Sequence, residues 1–196
     1  VEELSLHILD IAMNSIRAGA TEVAVEVTED RSRDLLAFVI RDNGCGMTED
    51  QLARVHDPFF TTRDTRRVGL GIPLLKQTAE QAGGGLTVTS APGQGTTVEA
   101  RFGLGHVDRP PLGDIAATVW TLIVTNPKLE FYYRHERDGA RFELSTKELK
   151  AKLRRRKLGT PRMAKALHKY ISENEERLAA REKAAEAGRL EGEGTP

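Results

Sequence analysis

One cysteine, Cys45, in 196 residues excludes a disulfide framework and fits a reducing cytosol. Net charge is missing as well: 29 basic residues balance 29 acidic ones, so no overall field draws the chain to nucleic acid or an anionic membrane. No apolar run approaches the ~20 residues of a membrane span. No signal peptide is visible, because Glu2 and Glu3 stand where positive charge belongs. Aromatic residues make up only 5% and hardly interleave with the basic run Lys150–Lys157, which reads as a solvated helix face before it reads as a nucleic-acid patch. These absences leave a cytoplasmic protein whose 39% apolar content suffices for a real core. Its length fits one domain with an appendage, or two small domains.

What the chain does have is glycine in pairs. Leu35-Leu36-Ala37-Phe38-Val39-Ile40 reads as a buried strand. It runs into Arg41-Asp42-Asn43-Gly44-Cys45-Gly46, which sets a carboxylate at a strand end beside backbone that can be approached closely. Gly69-Leu70-Gly71 then opens a helix, and Gly93-Gln94-Gly95-Thr96 turns between two strands.

Around these motifs the pattern predicts α-β-β-α-loop-α-β-β. Leu4, Ile8, Ile11, Ala12 and Ile16 recur at helical spacing over residues 3–18, and Gly19 ends that helix. Asp10, Asn14 and Arg17 share one face of it, either as a solvated stripe or as base, metal ligand and phosphate contact. Val23, Val25 and Val27 alternate in a half-buried strand. Thr48 and Gln51 form a capping box. Residues 56–68 have no period and read as a loop, with His56 a surface residue. A helix over 69–83 carries Pro73 in its first turn, and strands follow over 86–91 and 96–102. This order implies an α+β fold, a two-layer sandwich of a mixed four-stranded sheet with helices on one face. Cys45 is expected to be a small buried filler, and His7 a core residue.

These residues resemble the GHKL (Bergerat fold) ATPase superfamily of histidine kinases, MutL proteins, type II topoisomerases and a heat-shock chaperone. Asp10 to Arg17 is similar to the N box, Asp42-Asn43-Gly44-Cys45-Gly46 to G1, and Asp57-Pro58-Phe59-Phe60-Thr61-Thr62-Arg63 to the kinase F box. Gly69-Leu70-Gly71 is similar to G2, and Gly93-Gln94-Gly95-Thr96 to the closing Gly-Thr element. Asn14 to Thr21 is worded more like the N box of MutL. The resemblance implies ATP and Mg²⁺ as cofactors. It assigns Asp42 to the adenine amine with Thr96 in support, Gly44 and Gly46 to the nucleoside, and Asn14 to Mg²⁺. Gly69, Leu70 and Gly71 fall to the phosphates at a helix start, as do Arg17 and, from the lid, Arg63.

Two departures from the family pattern bear on turnover. Asp10 stands where hydrolysing members carry Glu, which withdraws the candidate general base by about 1.5 Å, one carbon–carbon bond. Arg67 and Val68 precede Gly69 in place of Gly-Thr/Ser. The N box also begins within ten residues of Val1, so the reading expects an ATPase domain without a dimerisation and phosphoacceptor hairpin.

Pro110-Pro111 reads as a boundary. Domains are expected at 1–106 (ATPase), 107–158 (a helix–hairpin–helix appendage around Asp138-Gly139) and 159–196 (a helix and disordered tail). The functional expectation is a regulatory Mg-ATP-binding protein that phosphorylates an unidentified partner protein or hydrolyses ATP slowly. Two other readings stand beside it: a non-catalytic ATP sensor and a MutL-like clamp, with the balanced charge counting against nucleic acid.

Overall fold

The computed structural model describes residues 3–55, 57, 71–153 and 160–192, with side chains of the last segment through 180. The elements are α1 (Leu4–Arg17), β1 (Glu22–Asp30), β2 (Leu35–Asp42), α2 (Glu49–Ala53), α3 (Gly71–Gln81), β3 (Gly85–Ala91) and β4 (Gly95–Gly103). They continue with α4 (Ile115–Thr125), β5 (Glu130–Arg137), β6 (Ala140–Ser145), α5 (Thr146–Leu153) and α6 (Pro161–Gly192). Among the described residues no helix is long and apolar enough to cross a membrane.

Alternation in the strands decides the layering. Val23, Val25 and Val27 of β1 lie beside Leu36, Phe38 and Ile40 of β2, then Val98, Ala100 and Phe102 of β4, all buried on one face. The apolar sides of α1 (Leu4, Ile8, Ile11, Ala12) and α3 (Leu75, Ala79) close over that face. Phe38 and Phe102 stack with ring centroids 5.9 Å apart. Truncating so enclosed a ring to alanine typically costs about 3–5 kcal/mol.

The opposite face carries charge of alternating sign. Glu26 takes Arg41 from β2 and Arg134 from β5, while Arg101 pairs with Glu99, and Arg141 with both Glu136 and Glu143. Such pairs, cross-strand for Glu26 with Arg41 and Arg134 and for Arg141 with Glu136 and within one strand for the others, keep an uncovered sheet face wet while adding a little stability each.

The two-layer α+β sandwich is present, but the sheet has six strands rather than four, in the order β3-β4-β2-β1-β5-β6. The strands expected to make a mixed sheet, β1 to β4, pair only antiparallel. The parallel step comes from β5, which lies along β1 from Glu22↔Glu130 to Glu29↔Arg137. Without it β1 would be an edge with a row of unpaired amides and carbonyls. The Asp138-Gly139 turn, with both residues at positive φ, folds β6 back on β5 as the sequence predicts.

The Pro110-Pro111 segment is tied to the first helix. Glu3, the N-cap of α1, makes no side-chain cap, and the amides of Leu4 and Ser5 instead donate to the carbonyls of Pro111 (3.0 Å) and Leu112 (2.9 Å). From there α4 packs on α1, and Trp120 of α4 donates its indole N–H to the carbonyl of Ala164 in α6 at 2.8 Å. α6 in turn covers β6 with Leu167, Ile171 and Leu178 buried, and runs to Gly192.

Candidate nucleotide site

The described residues of the predicted base-binding group gather at the end of the sheet where β2 stops and β4 starts. Asp42 is the last residue of β2, and register sets it opposite Thr96, which is opposite Ser90 of β3. Neighbours across antiparallel strands share a face, so all three side chains point toward the helix layer.

The Asp42 carboxylate is held from three directions. Its Oδ1 accepts the amides of Gly44 (2.9 Å) and Thr96 (3.2 Å), and its Oδ2 accepts the hydroxyl of Ser15 at 2.5 Å. Ser15 is buried on α1 and Ser90 is half-buried on β3. The Ser90 hydroxyl accepts the amide of Met47 (2.9 Å), donates to the carbonyl of Gly95 (2.8 Å) and meets the Thr96 hydroxyl at 2.9 Å. Asn43 fastens the loop from the other side, its Oδ1 accepting the amides of Thr21 and Glu22 at 2.9 Å.

Glycine is required here by the chain's own backbone. A Cβ on Gly46 would come within 1.9 Å of the Ala91 carbonyl oxygen, and one on Gly95 within 1.9 Å of that of Asp42. Both residues have positive φ, 67° and 84°. The loop after β2 and the β3–β4 turn therefore interlock, and the freedom assigned to Gly46 for a nucleoside is spent on this contact. Gly44 lies beside the end of α1, with the Ala18 carbonyl 3.0 Å from where its Cβ would stand.

Cys45 corrects one expectation. It is exposed, not a buried filler, because its amide is bound to the Ala18 carbonyl (3.0 Å) and its carbonyl to the Gly93 amide (2.7 Å). Both backbone groups face inward and the side chain is left facing water. His7, in contrast, is buried as expected.

The second half of the site sits one turn away on α1. A Cβ on Gly71, the first residue of α3, would fall 2.2 Å from Asp10 Oδ2 and 3.9 Å from Asn14 Nδ2. The start of α3 is thus pressed against the Asp10 and Asn14 side chains, where a helix N-terminus favours negative charge. Arg17 donates to Asn14 Oδ1 at 3.0 Å, so Asn14 and Arg17 of the stripe touch each other at the surface. Among the described residues no group of three or more His, Cys, Asp or Glu side chains is placed to hold a metal. Arg63, Gly69, Leu70 and His56 lie outside the described residues.

Sequence reasoning placed Asp42, Thr96, Gly44, Gly46, Asp10, Asn14, Arg17 and Gly71 together, but it missed Ser15, Ser90 and Asn43. A signal for Ser90 was present: it lies as far ahead of the Pro92-Gly93 turn as a partner of Thr96 must.

Residues 1–106 match the family described as histidine kinase-, DNA gyrase B-, and HSP90-like ATPase. A non-motile and phage-resistance protein of Caulobacter vibrioides is 32% identical over 123 residues, 60% of this chain and 15% of that protein. The sensor histidine kinase ZraS of Escherichia coli strain K12 is 31% identical over 112 residues, 57% of this chain and 24% of that protein. The chain therefore spans less than a quarter of the length of these curated relatives. Among solved structures, the N-terminal domain of a DNA repair protein superposes with a TM-score of 0.55 at 14% identity, covering 74% of this chain and 53% of that one. That likeness is one of fold. The matched span covers more than half of the chain, and the chain belongs to the histidine kinase-, DNA gyrase B-, and HSP90-like (GHKL) ATPase family.

Proposed function

We propose that this chain binds Mg-ATP at the site formed by α1, the 42–46 loop, the start of α3 and the start of β4. It passes the γ-phosphoryl group to a partner protein or, without one, hydrolyses ATP slowly; a cytoplasmic, regulatory role goes with this reading. The observation that carries it is the Asp42 carboxylate, oriented by Ser15, Gly44 and Thr96 at the end of a strand with one acceptor position left over. Such an acceptor suits the adenine amine, and one left unpaired on binding costs about 1–3 kcal/mol.

The residues present also fit the phosphates and metal. Asn14 offers a neutral oxygen of the kind a hard divalent ion takes, and the other ligands come from the nucleotide. Arg17 donates to that oxygen in the free protein. Magnesium held there neutralises phosphate charge. The start of α3 at Gly71 supplies amides to the phosphates, and Gly69, Leu70 and Arg63 extend that set.

A second reading, ATP binding without turnover, is favoured by Asp10. Its carboxylate is short and packed against Gly71, which limits its reach as a general base.

The test is thermal stabilisation by Mg-ATP. Wild type should be stabilised, and Asp42→Ala and Asn14→Ala should each abolish the effect. A full thermal shift in Asp42→Ala would refute the adenine assignment. Transfer of label from γ-³²P-ATP to a protein separates the kinase from the sensor, which would bind tightly and transfer nothing.

A further inference from the structure

Resting on the ATP reading and going beyond it, the geometry points to Ser90 as a positioning residue that sets the base specificity of the site by dictating the direction of the Thr96 hydroxyl. A serine has one proton and two lone pairs. The Gly95 carbonyl has no proton, so its 2.8 Å contact with Ser90 Oγ is spanned by the serine's own. The 2.9 Å contact between Ser90 and Thr96 must then be spanned by the threonine's proton. The Met47 amide fills the remaining lone pair of Ser90. Ser90 is saturated, and Thr96 turns only lone pairs to the site.

The same count applies next door. Asp42 Oδ1 accepts two amides, and Ser15 gives its proton to Oδ2 at 2.5 Å. A carboxylate oxygen has two acceptor positions, so Oδ2 keeps one. The edge formed by Asp42 Oδ2 and Thr96 Oγ1 therefore accepts at both points and donates at neither. It fits a ring bearing an amine with two N–H groups. It opposes a carbonyl at the same position, as in inosine or guanosine nucleotides: the carbonyl brings no proton and the N1–H beside it can serve only one of the two acceptors, so at least one is left unpaired. Had Ser90 been apolar, the Thr96 proton would be free to turn and serve that carbonyl.

The experiment measures dissociation constants of Mg-ATP and Mg-ITP, which differ in replacing the 6-amino group by a carbonyl and the bare N1 by an N1–H. Proteins compared are wild type, Ser90→Ala, Ser90→Thr, Thr96→Val and the double variant Ser90→Ala/Thr96→Val. Wild type should prefer ATP by roughly 100-fold or more. Ser90→Ala should reduce that ratio by about tenfold, one hydrogen bond gained by the wrong base. Ser90→Thr, which keeps a hydroxyl, should restore it.

In the Thr96→Val background Ser90→Ala should leave the ratio unchanged, since no hydroxyl remains to direct. A general loosening of the loop would weaken both nucleotides by one factor. An unchanged ratio in Ser90→Ala overturns the proposal, and so does the same drop in the Thr96→Val background. Absence of ATP binding by folded wild type overturns the ATP reading itself and the specificity argument with it.

Discussion

Removing the His135 imidazole should weaken the hold of the C-terminal helix on the sheet, and the effect should shrink at alkaline pH. His135 is 1% exposed, on β5. Its Nδ1 lies 2.6 Å from Glu175 Oε2 of α6 and its Nε2 lies 3.0 Å from Glu29 Oε1 of β1. Ionised carboxylates only accept, so both ring nitrogens must carry protons and the ring is an imidazolium. Around it Arg137 pairs with Glu29, and the buried Tyr133 hydroxyl donates to Glu175 Oε1 at 2.8 Å. Two acids and two cations balance, and they join three elements distant in sequence. Burial alone would lower the His135 pKa, but the hydrogen bonds to Glu175 and Glu29 outweigh it and raise the pKa above its ordinary 6.5.

His135→Ala leaves two buried carboxylates against one guanidinium, and breaking a buried network this way costs about 3–5 kcal/mol. The sign of the pH dependence follows from linkage. A raised histidine pKa gives stability fully present below about 6.5 and lost as pH rises through the folded value. Glu29 behaves oppositely. Burial opposes its charge, but His135 and Arg137 prevail and lower its pKa below 4.5, so its contribution exists above that value and is lost on acidification through the folded one. Urea unfolding from about pH 5.5 to about pH 9 should show wild-type stability falling over the alkaline half, with the gap to His135→Ala narrowing. A wild-type profile flat or rising above about pH 6.5, or a variant penalty under about 1 kcal/mol near pH 6, would refute the balanced-cluster argument.

Gly95→Ala should lower stability by more than the 1–3 kcal/mol of an unfavourable positive φ, since its Cβ also meets the Asp42 carbonyl at 1.9 Å; a melting curve at wild-type temperature would contradict the interlock. Asp10→Glu should raise the rate of phosphate release if the short base limits turnover, and an unchanged rate removes that explanation. Truncation after residue 127 should yield aggregating protein, because it strips β5 from β1 and uncovers an edge beside Val23, Val25 and Val27. Soluble monomer by light scattering would show that residues 1–127 close without the hairpin.

The central sheet was legible because period-two alternation in Val23-Val25-Val27 and the filled run Leu35–Ile40 admit few other structures. The Asp138-Gly139 hairpin was legible for the same local reason. Its place was not. Pairing of Glu22 with Glu130 depends on which free edge a hairpin finds across 108 residues, and no local pattern encodes that. Cys45 was misjudged because composition predicts burial of a thiol, while loop hydrogen bonds at Ala18 and Gly93 decided its direction. Ser15 was invisible as chemistry because a hydroxyl in a helix is neutral to the apolar pattern, while Ser90 showed only through its distance from the turn.

What ties the site together is one turn of α1. Asn14 and Ser15 are consecutive, and successive helix residues project about 100° apart. Asn14 therefore shares the Asp10 face toward the start of α3, while Ser15 turns to Asp42 at the end of β2. The phosphate end and the base end of the proposed pocket are set by neighbouring side chains on a helix whose other residues, Leu4, Ile8, Ile11 and Ala12, are locked in the core. Displacing the helix to suit one end would displace the other. If the proposed pocket takes ATP, a ligand that fails to match the spacing between amine and phosphates would forfeit one set of contacts, and the rigid core itself would contribute to selection for a nucleoside triphosphate over its fragments.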